Sequence, residues 1–583
     1  MLRDRGQGEV WLSFIGGNDM LNKEQRVAVA TAICVAASFG LSGAARAYEV
    51  TAGEFTVHLD TTLTTGVQFR TQGRDCRLIG TTNGGCGGQG PLTDDGNLNY
   101  DKWDMTSATS SILEEIEITN GQYGFFGRIN AFYDPLQNDA SHTERTDLSD
   151  DARRVVGRGV DLLDAYVYGL FDIDGHPVDV RLGNQAFNWG ESLFTPGGIN
   201  ESNPLIVSRL RQPGSEIKEA TQPMPAVRVS AGLTDDLSVE AYYQFLWDNT
   251  ELDPVGTFFS TNDIVGPGAQ GIFLNVDPGQ AGSAAYAPSI PPNYIPKAES
   301  LDARNSGQYG VALRYFEENT SILFGLYYLR YHFKTPIIGA SADYVHVGGP
   351  IFIGVPTSYF EEFPEDVDLY GFSFNAPLGD LALGFETSYQ PDFPTALGLG
   401  DVLQGAANKS TATAGHATMS GYVNEERWQT HLTGFYAIAP STPLLGTLLT
   451  STGGSKGTLL GEIAATVFPS LDASIPYSAP QFSSGVDKTS WGYRLSLQTE
   501  YDRVLGTNVT LSPTVSWQHD VSGNAPGGRS APFVDGRKAI SLGLDASYLS
   551  YTANLAYTNY FGAGANNTNT DRDFISFSLG YSF

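Results

Sequence analysis

The chain has 583 residues and a net charge of −30, with 17% charged residues, 12% aromatic residues and 67 glycines. The acidic balance excludes nucleic acid as a partner, because phosphate binding needs clustered Lys and Arg. A polar average with many aromatic residues favours an all-β barrel that is apolar on one face only, and a secreted β-solenoid or sandwich is the alternative.

The N-terminal segment has the features of a secretion signal. Lys23 and Arg26 precede an apolar run over 27–41, and Ala45-Arg46-Ala47 is the small-x-small pattern that signal peptidase cleaves. The run is too short for a membrane anchor, and Cys34 lacks the pattern of a lipoprotein. We therefore expect three parts: 1–19 as a miscalled upstream start, 20–47 as the signal peptide, and 48–583 as a single barrel domain.

The first region of the mature chain contains two cysteines in a Gly-rich stretch, Cys76 and Cys86. In an oxidising compartment they predict a disulfide that closes a loop of about ten residues. Two free thiols are the alternative, and a metal site is less favoured because no histidine is near.

Short and long connections alternate along the rest of the chain. Tight turns are predicted at 120–121, 174–175, 235–236, 317–319, 377–379, 424–425, 502–508 and 549–550. Longer polar connections are predicted at 73–106, 134–160, 189–224, 248–307, 335–366, 437–488 and 520–537. Short turns at one end and long loops at the other are typical of a transmembrane, outer-membrane β-barrel, and the hairpins predict about 16 to 18 antiparallel strands.

The last strand is apolar at every second position from Ile575 to the terminal Phe583. A period of two directs one set of side chains to lipid and the other to the lumen. This ending resembles the closing-strand signal, with Phe583 as its last residue, that the barrel-assembly machinery reads. Outer-membrane lipid and that machinery are therefore expected partners.

The same alternation assigns charged and amide side chains to the lumen, since charges facing lipid are costly. The predicted lumen or constriction residues are Arg128, Asp164, Arg181, Gln185, Arg228, Glu240, Arg314, Arg330, Glu386 and Arg494, together with Asp545. They predict a hydrated interior. The alternative is that they pair with one another and stiffen the wall.

The region from 180 to 268 has a distinctive sequence. It contains Arg-Leu-Gly-Asn-Gln-Ala-Phe-Asn-Trp-Gly-Glu from Arg181, Pro-Gly-Gly-Ile-Asn at 196–200, and Gly266-Pro267-Gly268. Together with Phe363-Pro364-Glu365-Asp366 and Pro377-Leu378-Gly379, it resembles the proteobacterial family known as domain of unknown function thirteen-oh-two. The resemblance covers most of the mature chain. It implies an outer-membrane protein, with transport of apolar or lipid-like compounds as a suspected role and no catalytic residues.

Part of this region is also informative by its residue types. Prolines and glycines between 196 and 204 cannot continue a strand, and the charges around them do not belong in lipid. We expect the connection to fold into the lumen, held by ion pairs, with a surface loop as the alternative. The predicted inward residues are Trp189, Glu191, Arg209, Arg211, Glu216 and Lys218.

Four other patterns are weak. The glycine-rich stretch 266–271 lacks the strand and helix of a dinucleotide site, and Gly453-Gly454-Ser455-Lys456-Gly457 lacks the strand of a nucleophile elbow. The eight scattered histidines show no serine partner, so a lipid hydrolase is disfavoured and we expect no enzyme and no cofactor. Asp571 and Asp573 near several asparagines leave open Ca²⁺ at extracellular loops, with a solvated loop as the alternative.

These features together predict a porin or transport channel for small or apolar solutes in the outer membrane of a Gram-negative bacterium. Inward loops and lumen charges would set its selectivity. The alternative is a plugged barrel that hands lipid-like cargo to a periplasmic partner or serves as a scaffold.

Overall fold

A computed structural model of the chain describes residues 48–86, 94–139, 142–269, 271–273, 294–480, 483 and 485–583. The predicted signal peptide and the residues before it lie outside the described residues. The strands, in chain order, are β1 (Tyr48–Ala52), β2 (Phe55–Arg70), β3 (Met105–Thr119), β4 (Tyr123–Tyr133), β5 (Arg158–Ile173), β6 (His176–Gln185), β7 (Met224–Gly232), β8 (Leu237–Gln244), β9 (Gly271–Phe273), β10 (Tyr294–Pro296), β11 (Gln308–Glu317), β12 (Ile322–Tyr331), β13 (Ile337–Gly348), β14 (Ile351–Glu362), β15 (Val367–Leu378), β16 (Leu381–Ala396), β17 (Ala417–Met419), β18 (Tyr422–Ile438), β19 (Lys456–Val467), β20 (Thr489–Glu500), β21 (Thr510–Ser522), β22 (Lys538–Tyr548), β23 (Tyr551–Phe561) and β24 (Phe574–Ser582).

Eighteen of these strands, β2–β8, β11, β12, β15, β16 and β18–β24, form one closed antiparallel barrel. The barrel closes between β2 and β24, where Thr62 pairs with Ser582 and Arg70 pairs with Phe574. β1 pairs only with 55–59 of β2, beyond the end of β24, so it lengthens the wall without adding a position to the ring. The prediction of 16 to 18 strands is confirmed.

The two faces of the wall differ in polarity, because successive side chains of a strand point to opposite sides. In the closing strand, Phe577 and Leu579 are exposed on the outer face, while Ser576 and Ser578 are buried toward the interior. Exposed apolar side chains cover the outer face around the barrel: Ile129, Leu162, Leu182, Val229, Leu313, Leu326, Leu432, Ile463, Leu495, Val515, Leu542, Leu555, Phe577 and Leu579.

Connections of different length define the two ends of the barrel. At the end that we call the turn end, the strands are joined by 120–122, 174–175, 233–236, 318–321, 379–380, 439–455, 501–509 and 549–550. At the opposite, loop end, they are joined by 71–104, 134–157, 186–223, 245–307, 332–366, 397–421, 468–488, 523–537 and 562–573.

One predicted turn and one predicted loop are wrong. The turn at 424–425 lies inside β18, where Glu425 is buried toward the interior and pairs in register with Phe393. The loop over 437–488 contains β19, and the true turn is 439–455. β19 has apolar residues at consecutive positions, Leu459 and Leu460, which obscure the period of two. The two errors cancel in the strand count.

Short helices and a small sheet occupy the loop end. The α-helices are Asp95–Leu98, Pro135–Asn138, Asp150–Val156, Ile217–Ala220 and Leu399–Thr413 there, and Leu445–Ser451 at the turn end. The 3₁₀ helices are Cys76–Leu78, Thr81–Asn83, Val207–Arg211, Val504–Gly506, Gly528–Ser530 and Gly564–Asn566. None of the helices in the described part of the chain is long and apolar enough to cross a membrane.

The loop end has its own packing outside the barrel ring. β14, β13 and β17 form a three-stranded sheet. The helix Leu399–Thr413 covers this sheet through Val402 and Ala406, which pack with Ala340 of β13. Cys76 and Cys86 form a disulfide with a Cα–Cα distance of 5.2 Å. These contacts give the loop end a folded layer above the lumen.

Candidate functional site

The connection between β6 and β7, residues 186–223, crosses the interior of the barrel, and we call it the crossing segment. It leaves the wall after Gln185 and returns at Met224, which are partners in the β6–β7 ladder. Between these points its side chains and backbone contact wall strands on opposite sides of the lumen. This placement agrees with the prediction that the connection folds into the lumen. Contacts with the wall strands hold the segment there.

The first contact is with β16, β18 and β19. Glu386 Oε1 accepts the backbone N–H of Ile199 (3.1 Å), and Oε2 accepts those of Ser192 (3.1 Å) and Glu191. Glu386 is fully buried. Hydrogen bonds from several N–H groups to one charged acceptor are strong inside a protein. This carboxylate therefore anchors the turn at the start of the crossing segment.

A histidine and a second carboxylate extend this anchor. Glu462 Oε2 accepts the N–H of Phe194 (2.5 Å) and Thr195 (2.9 Å), and its Oε1 lies 2.6 Å from His431 Nδ1. His431 Nε2 lies 3.9 Å from Glu386 Oε1. His431 and Glu462 are buried like Glu386. We call these three residues the anchor cluster.

Glycine at two positions allows the close approach to Glu386. Gly190 and Gly198 have φ of +93° and +79°. A Cβ atom would lie 2.2 Å from Glu386 Oε2 at position 190 and 1.9 Å from Oε1 at position 198. Any larger residue would therefore separate the segment from its anchor.

An aromatic contact fixes the segment against β8 and β12. The indole of Trp189 donates to Glu240 Oε1 (2.8 Å) and packs against Tyr242 and Tyr327. Phe187 stacks on Tyr242 with ring centroids 4.2 Å apart. These rings belong to an apolar core inside the barrel. The interior is therefore apolar on this side and polar elsewhere.

Two arginines hold the middle of the crossing segment. Arg209 bonds to Asp161 of β5 (2.9 Å) and lies over the ring of Phe132, 3.6 Å from its centroid. Arg211 pairs with Asp253 of the β8–β9 connection (3.2 Å). Burial raises the pKa of Asp253, and Arg211 opposes that shift.

The segment then reaches the strands where the barrel closes. A Cβ on Gly66 of β2 would lie 2.6 Å from Pro213, so the two backbones are in close contact. Lys218 pairs with Glu115 of β3 (2.8 Å). Glu216 caps the helix Ile217–Ala220 and lies 3.3 Å from Lys218. Glu191, near the other end, accepts from Asn375 of β15 (2.8 Å).

The predicted lumen charges form ion pairs along the inner wall. Glu115 and Asp164 flank Arg128 at 2.8 and 2.5 Å. Glu240 lies between Arg228 and Arg314 at 2.8 and 2.9 Å. The alternative that these residues pair with one another therefore describes part of their role, although these three arginines stay partly exposed to the interior.

The remaining predicted residues also have partners. Arg181 pairs with Asp179 (3.1 Å), and Arg494 pairs with Asp520 (2.9 Å). Gln185 donates to Ala226 O. Asp545 accepts from Asn554 (2.7 Å).

Arg330 is the exception, and its predicted lumen position is wrong. It shares the outer face of β12 with Leu326 and Tyr328, while Tyr327 and Leu329 belong to the interior core. Its guanidinium pairs with Asp368 (2.8 Å) at the last residues before the loop end. A paired charge is tolerated there because long side chains at a membrane rim reach polar surroundings.

The proposed Ca²⁺ ligands near the C-terminus already have protein partners. Asp571 pairs with Arg70 (3.2 Å). Asp573 accepts the N–H of Tyr560 (2.8 Å) and the amide of Asn559. These bonds involve Asp571 Oδ2 and both oxygens of Asp573. Asp571 Oδ1 is buried and has no hydrogen-bond donor among the described residues.

Sequence reasoning missed His431, Glu462 and Asp161. In the sequence, His431 is one of eight scattered histidines. In the structure, its neighbours are carboxylates. Alternation places all three side chains on the inner face, but only the closed barrel brings His431 and Glu462 to the crossing segment. The glycines at 190, 197 and 198 were the available signal for a close contact.

One cavity lies at the turn end, and a smaller one adjoins the crossing segment. A cavity of about 660 Å³ at the turn end is lined by Asp179, Ser230, Ser238, Arg314 and Leu323, among others. A smaller one of about 50 Å³ lies beside the segment, with Arg209, Arg211, Asp134 and Phe258 in its lining. The larger cavity is a vestibule below the ion pairs of Glu240.

The fold and this interior define a class of protein. A closed eighteen-stranded antiparallel barrel with an apolar outer face, a charged inner wall and long connections at one end is a transmembrane β-barrel. The chain belongs to the family described as Protein of unknown function (DUF1302), whose model matches residues 28–583. The predicted resemblance is confirmed.

Several solved structures are similar to the chain at low sequence identity. OccAB1 of Acinetobacter baumannii has 8% identity and a TM-score of 0.40, with 90% of this chain and 96% of that chain covered. OpdK, an outer membrane protein of Pseudomonas aeruginosa, has 9% identity and a TM-score of 0.38, with 90% and 98% covered. A BenF-like porin from Pseudomonas fluorescens Pf-5 has 11% identity and a TM-score of 0.37, with the same coverage. No curated protein matches the chain significantly.

Proposed function

We propose that the protein is a channel for small solutes in the outer membrane of a Gram-negative bacterium. The observation that supports this most directly is the crossing segment, which is fixed across a closed barrel whose inner wall is charged. A segment held in this way narrows the lumen. The crossing segment and the wall charges together would set the selectivity.

A belt of aromatic residues supports the membrane location. Tyr309, Tyr328, Tyr370, Tyr389 and Trp428 contact one another in series on the outer face near the loop end. Aromatic girdles of this kind mark the lipid–water interface of outer-membrane barrels. We propose outer-membrane lipid as the surroundings of the barrel and the extracellular side for the loop end.

The route to the membrane follows from the two ends of the sequence. The signal peptide at 20–47 would direct export. The last strand, with Phe583 after it, would be recognised by the barrel-assembly machinery. The turn end would then face the periplasm, which is where both ends of the barrel wall lie.

Paired charges on the inner wall provide a basis for selectivity. Arg128, Arg181, Arg228 and Arg314 lie on the strands from β4 to β11, and each is next to at least one carboxylate. Fixed charges in a narrow, low-dielectric passage orient dipolar solutes and select among ions. We infer that solutes with a charge or a dipole pass this side of the lumen.

Single-channel conductance of the purified full-length barrel in a planar bilayer tests the proposal. Stable conductance steps with a defined ratio of cation to anion permeability are the expected result. An Arg314→Gln variant should change that ratio, because Arg314 lines the vestibule at the turn end. A folded barrel without conductance would overturn the proposal.

The apolar core in the lumen favours a second candidate. Phe187, Trp189 and Tyr242 are buried in an aromatic cluster that fills part of the lumen, which suits a plugged barrel that passes lipid-like cargo to a periplasmic partner. A folded, non-conducting barrel that transfers a fluorescent lipid to an acceptor in solution would favour this candidate.

A further inference from the structure

Three aspartates from two connections meet at the loop end, away from the lumen contacts described above. Asp94 and Asp95 lie in the β2–β3 connection, and Asp263 lies in the β8–β9 connection. One carboxylate oxygen from each lies within 4.8 Å of the other two. Their exposed fractions are 0%, 4% and 8%. They form a buried acidic cluster that joins two connections far apart in sequence.

Hydrogen bonds account for only part of this cluster. Asp94 accepts from the N–H of Gly80 (2.7 Å) and the amide of Asn83. Asp263 Oδ2 accepts the N–H of Asp94 (2.9 Å) and of Asp95 (3.5 Å). Its other oxygen, Oδ1, is buried and has no hydrogen-bond donor among the described residues. A buried carboxylate oxygen without a partner is costly.

Arg572 is close enough for its charge to act on Asp263, but its N–H groups donate to the carbonyl oxygens of Gly96 (2.6 Å), Phe258 and Ser260 (3.0 Å). Burial and the carboxylates of Asp95 and Asp94 hold the pKa of Asp263 well above its ordinary value. A bound cation would remove this repulsion and give Oδ1 a partner.

We propose that Asp94, Asp95 and Asp263 bind one Ca²⁺ ion. Two oxygens on opposite sides of Ca²⁺ lie about 4.8 Å apart, because each Ca²⁺–oxygen distance is about 2.4 Å. The three side chains offer oxygen atoms alone, which suits a hard cation rather than zinc or copper. Irregular loops suit Ca²⁺ better than Mg²⁺, which requires near-ideal octahedral geometry.

The position of the site gives the ion a structural role. The β8–β9 connection that contains Asp263 also contains Asp253 and Phe259, and both contact Arg211 of the crossing segment. The disulfide between Cys76 and Cys86 closes a loop in the β2–β3 connection, and Asp94 accepts hydrogen bonds from Gly80 and Asn83 inside that loop. Bound Ca²⁺ therefore links a covalently closed loop to the loop that holds the crossing segment. The site does not depend on the protein being a channel.

Isothermal titration of detergent-purified protein with Ca²⁺, free of lipopolysaccharide, tests the proposal. We expect one saturable site with a Kd on the order of 10⁻⁴ M, as in extracellular Ca²⁺ modules. Asp263→Asn should weaken binding by at least roughly tenfold, because it removes a charged ligand. Asp302→Asn is the matched control, since Asp302 is an exposed aspartate of the β10–β11 connection, and it should leave the Kd unchanged.

Hydrogen exchange of the native protein gives a second measurement if the Asp263 variant does not fold. Adding Ca²⁺ after chelator treatment should slow exchange of the backbone amides at 94–99 and 253–263, while the turn at 318–321 should not change. Native protein without saturable Ca²⁺ binding would overturn the proposal. Equal Ca²⁺ affinity in native and Asp263→Asn protein, or exchange at 94–99 and 253–263 that is insensitive to Ca²⁺, would also overturn it.

Discussion

Replacing Glu386 by glutamine removes part of the anchor of the crossing segment while keeping the size of the side chain. In the native protein, Oε1 accepts one backbone N–H, from Ile199, and Oε2 accepts two, from Glu191 and Ser192. A glutamine has only one acceptor oxygen, so its amide nitrogen must face at least one of these N–H groups. The variant therefore loses one or two of the three charge-assisted hydrogen bonds. The bonds that remain are made to a neutral acceptor.

The magnitude follows from the number of bonds. A hydrogen bond to a charged group contributes about 1.5 to 3 kcal/mol. Because Glu386 is buried, water does not screen its charge. Loss of two such bonds at the lower value weakens docking of the segment by about 3 kcal/mol. Since 1.4 kcal/mol is a factor of ten, the undocked state should become populated roughly 100-fold more.

Hydrogen exchange followed by mass spectrometry measures this change directly. Amides at 191, 192 and 199 should exchange roughly 100-fold faster in Glu386→Gln, because local opening determines their protection. The strand ladder is untouched, so amides of the wall should keep their rates. Glu318→Gln, in an exposed turn, is the control. Unchanged protection at these three amides in a folded Glu386→Gln barrel would refute the proposed anchor.

Three further predictions concern the segment, the lumen and the loop end. Gly198→Ala should loosen the crossing segment as Glu386→Gln does, because a Cβ would lie 1.9 Å from Glu386 Oε1; native-like exchange at residue 199 would contradict this. Arg314→Gln should shift ion selectivity in planar bilayers whereas Arg330→Gln should not, because only Arg314 faces the interior; equal shifts would contradict the assigned faces. Burial lowers the pKa of Lys334 to about 8, below its ordinary value of about 10.5. Between these two pH values the unfolded state binds more protons than the folded state. The thermal stability of the protein should therefore rise as the pH increases from 8 to 10.5. Lys334→Met should remove up to about 3 kcal/mol of that rise, and an identical pH dependence in the two proteins would contradict it.

Much of the wall is predictable because its signal is local. The alternation in the closing strand assigns Phe577 and Leu579 to the outer face without any knowledge of the partner strand. The rule that a charged side chain faces the lumen fails for Arg330. This residue lies on the outer face of its strand, together with Leu326 and Tyr328. At the rim of a barrel the cost of an outward charge is small, so polarity there does not decide the face.

The location of the turns shows a second limit. The turn predicted at 424–425 rested on residue type alone, and β18 continues through it because Glu425 finds hydrogen-bond donors in Ser470 and Tyr477. Those donors come from the connection after β19. A polar residue in a strand is recognised as such only when its distant partner is known.

The sequence by itself determined the all-β class, the outward apolar face and a connection over 189–224 unsuited to a strand, because these depend on residue type and on spacing along the chain. The tertiary structure decided where that connection is held and by which residues. Glu386, His431 and Glu462 lie on three neighbouring strands and meet Gly190 and Gly198 only after the ring has closed between β2 and β24. Closure sets the distance across the lumen, and no local period in the sequence contains that distance.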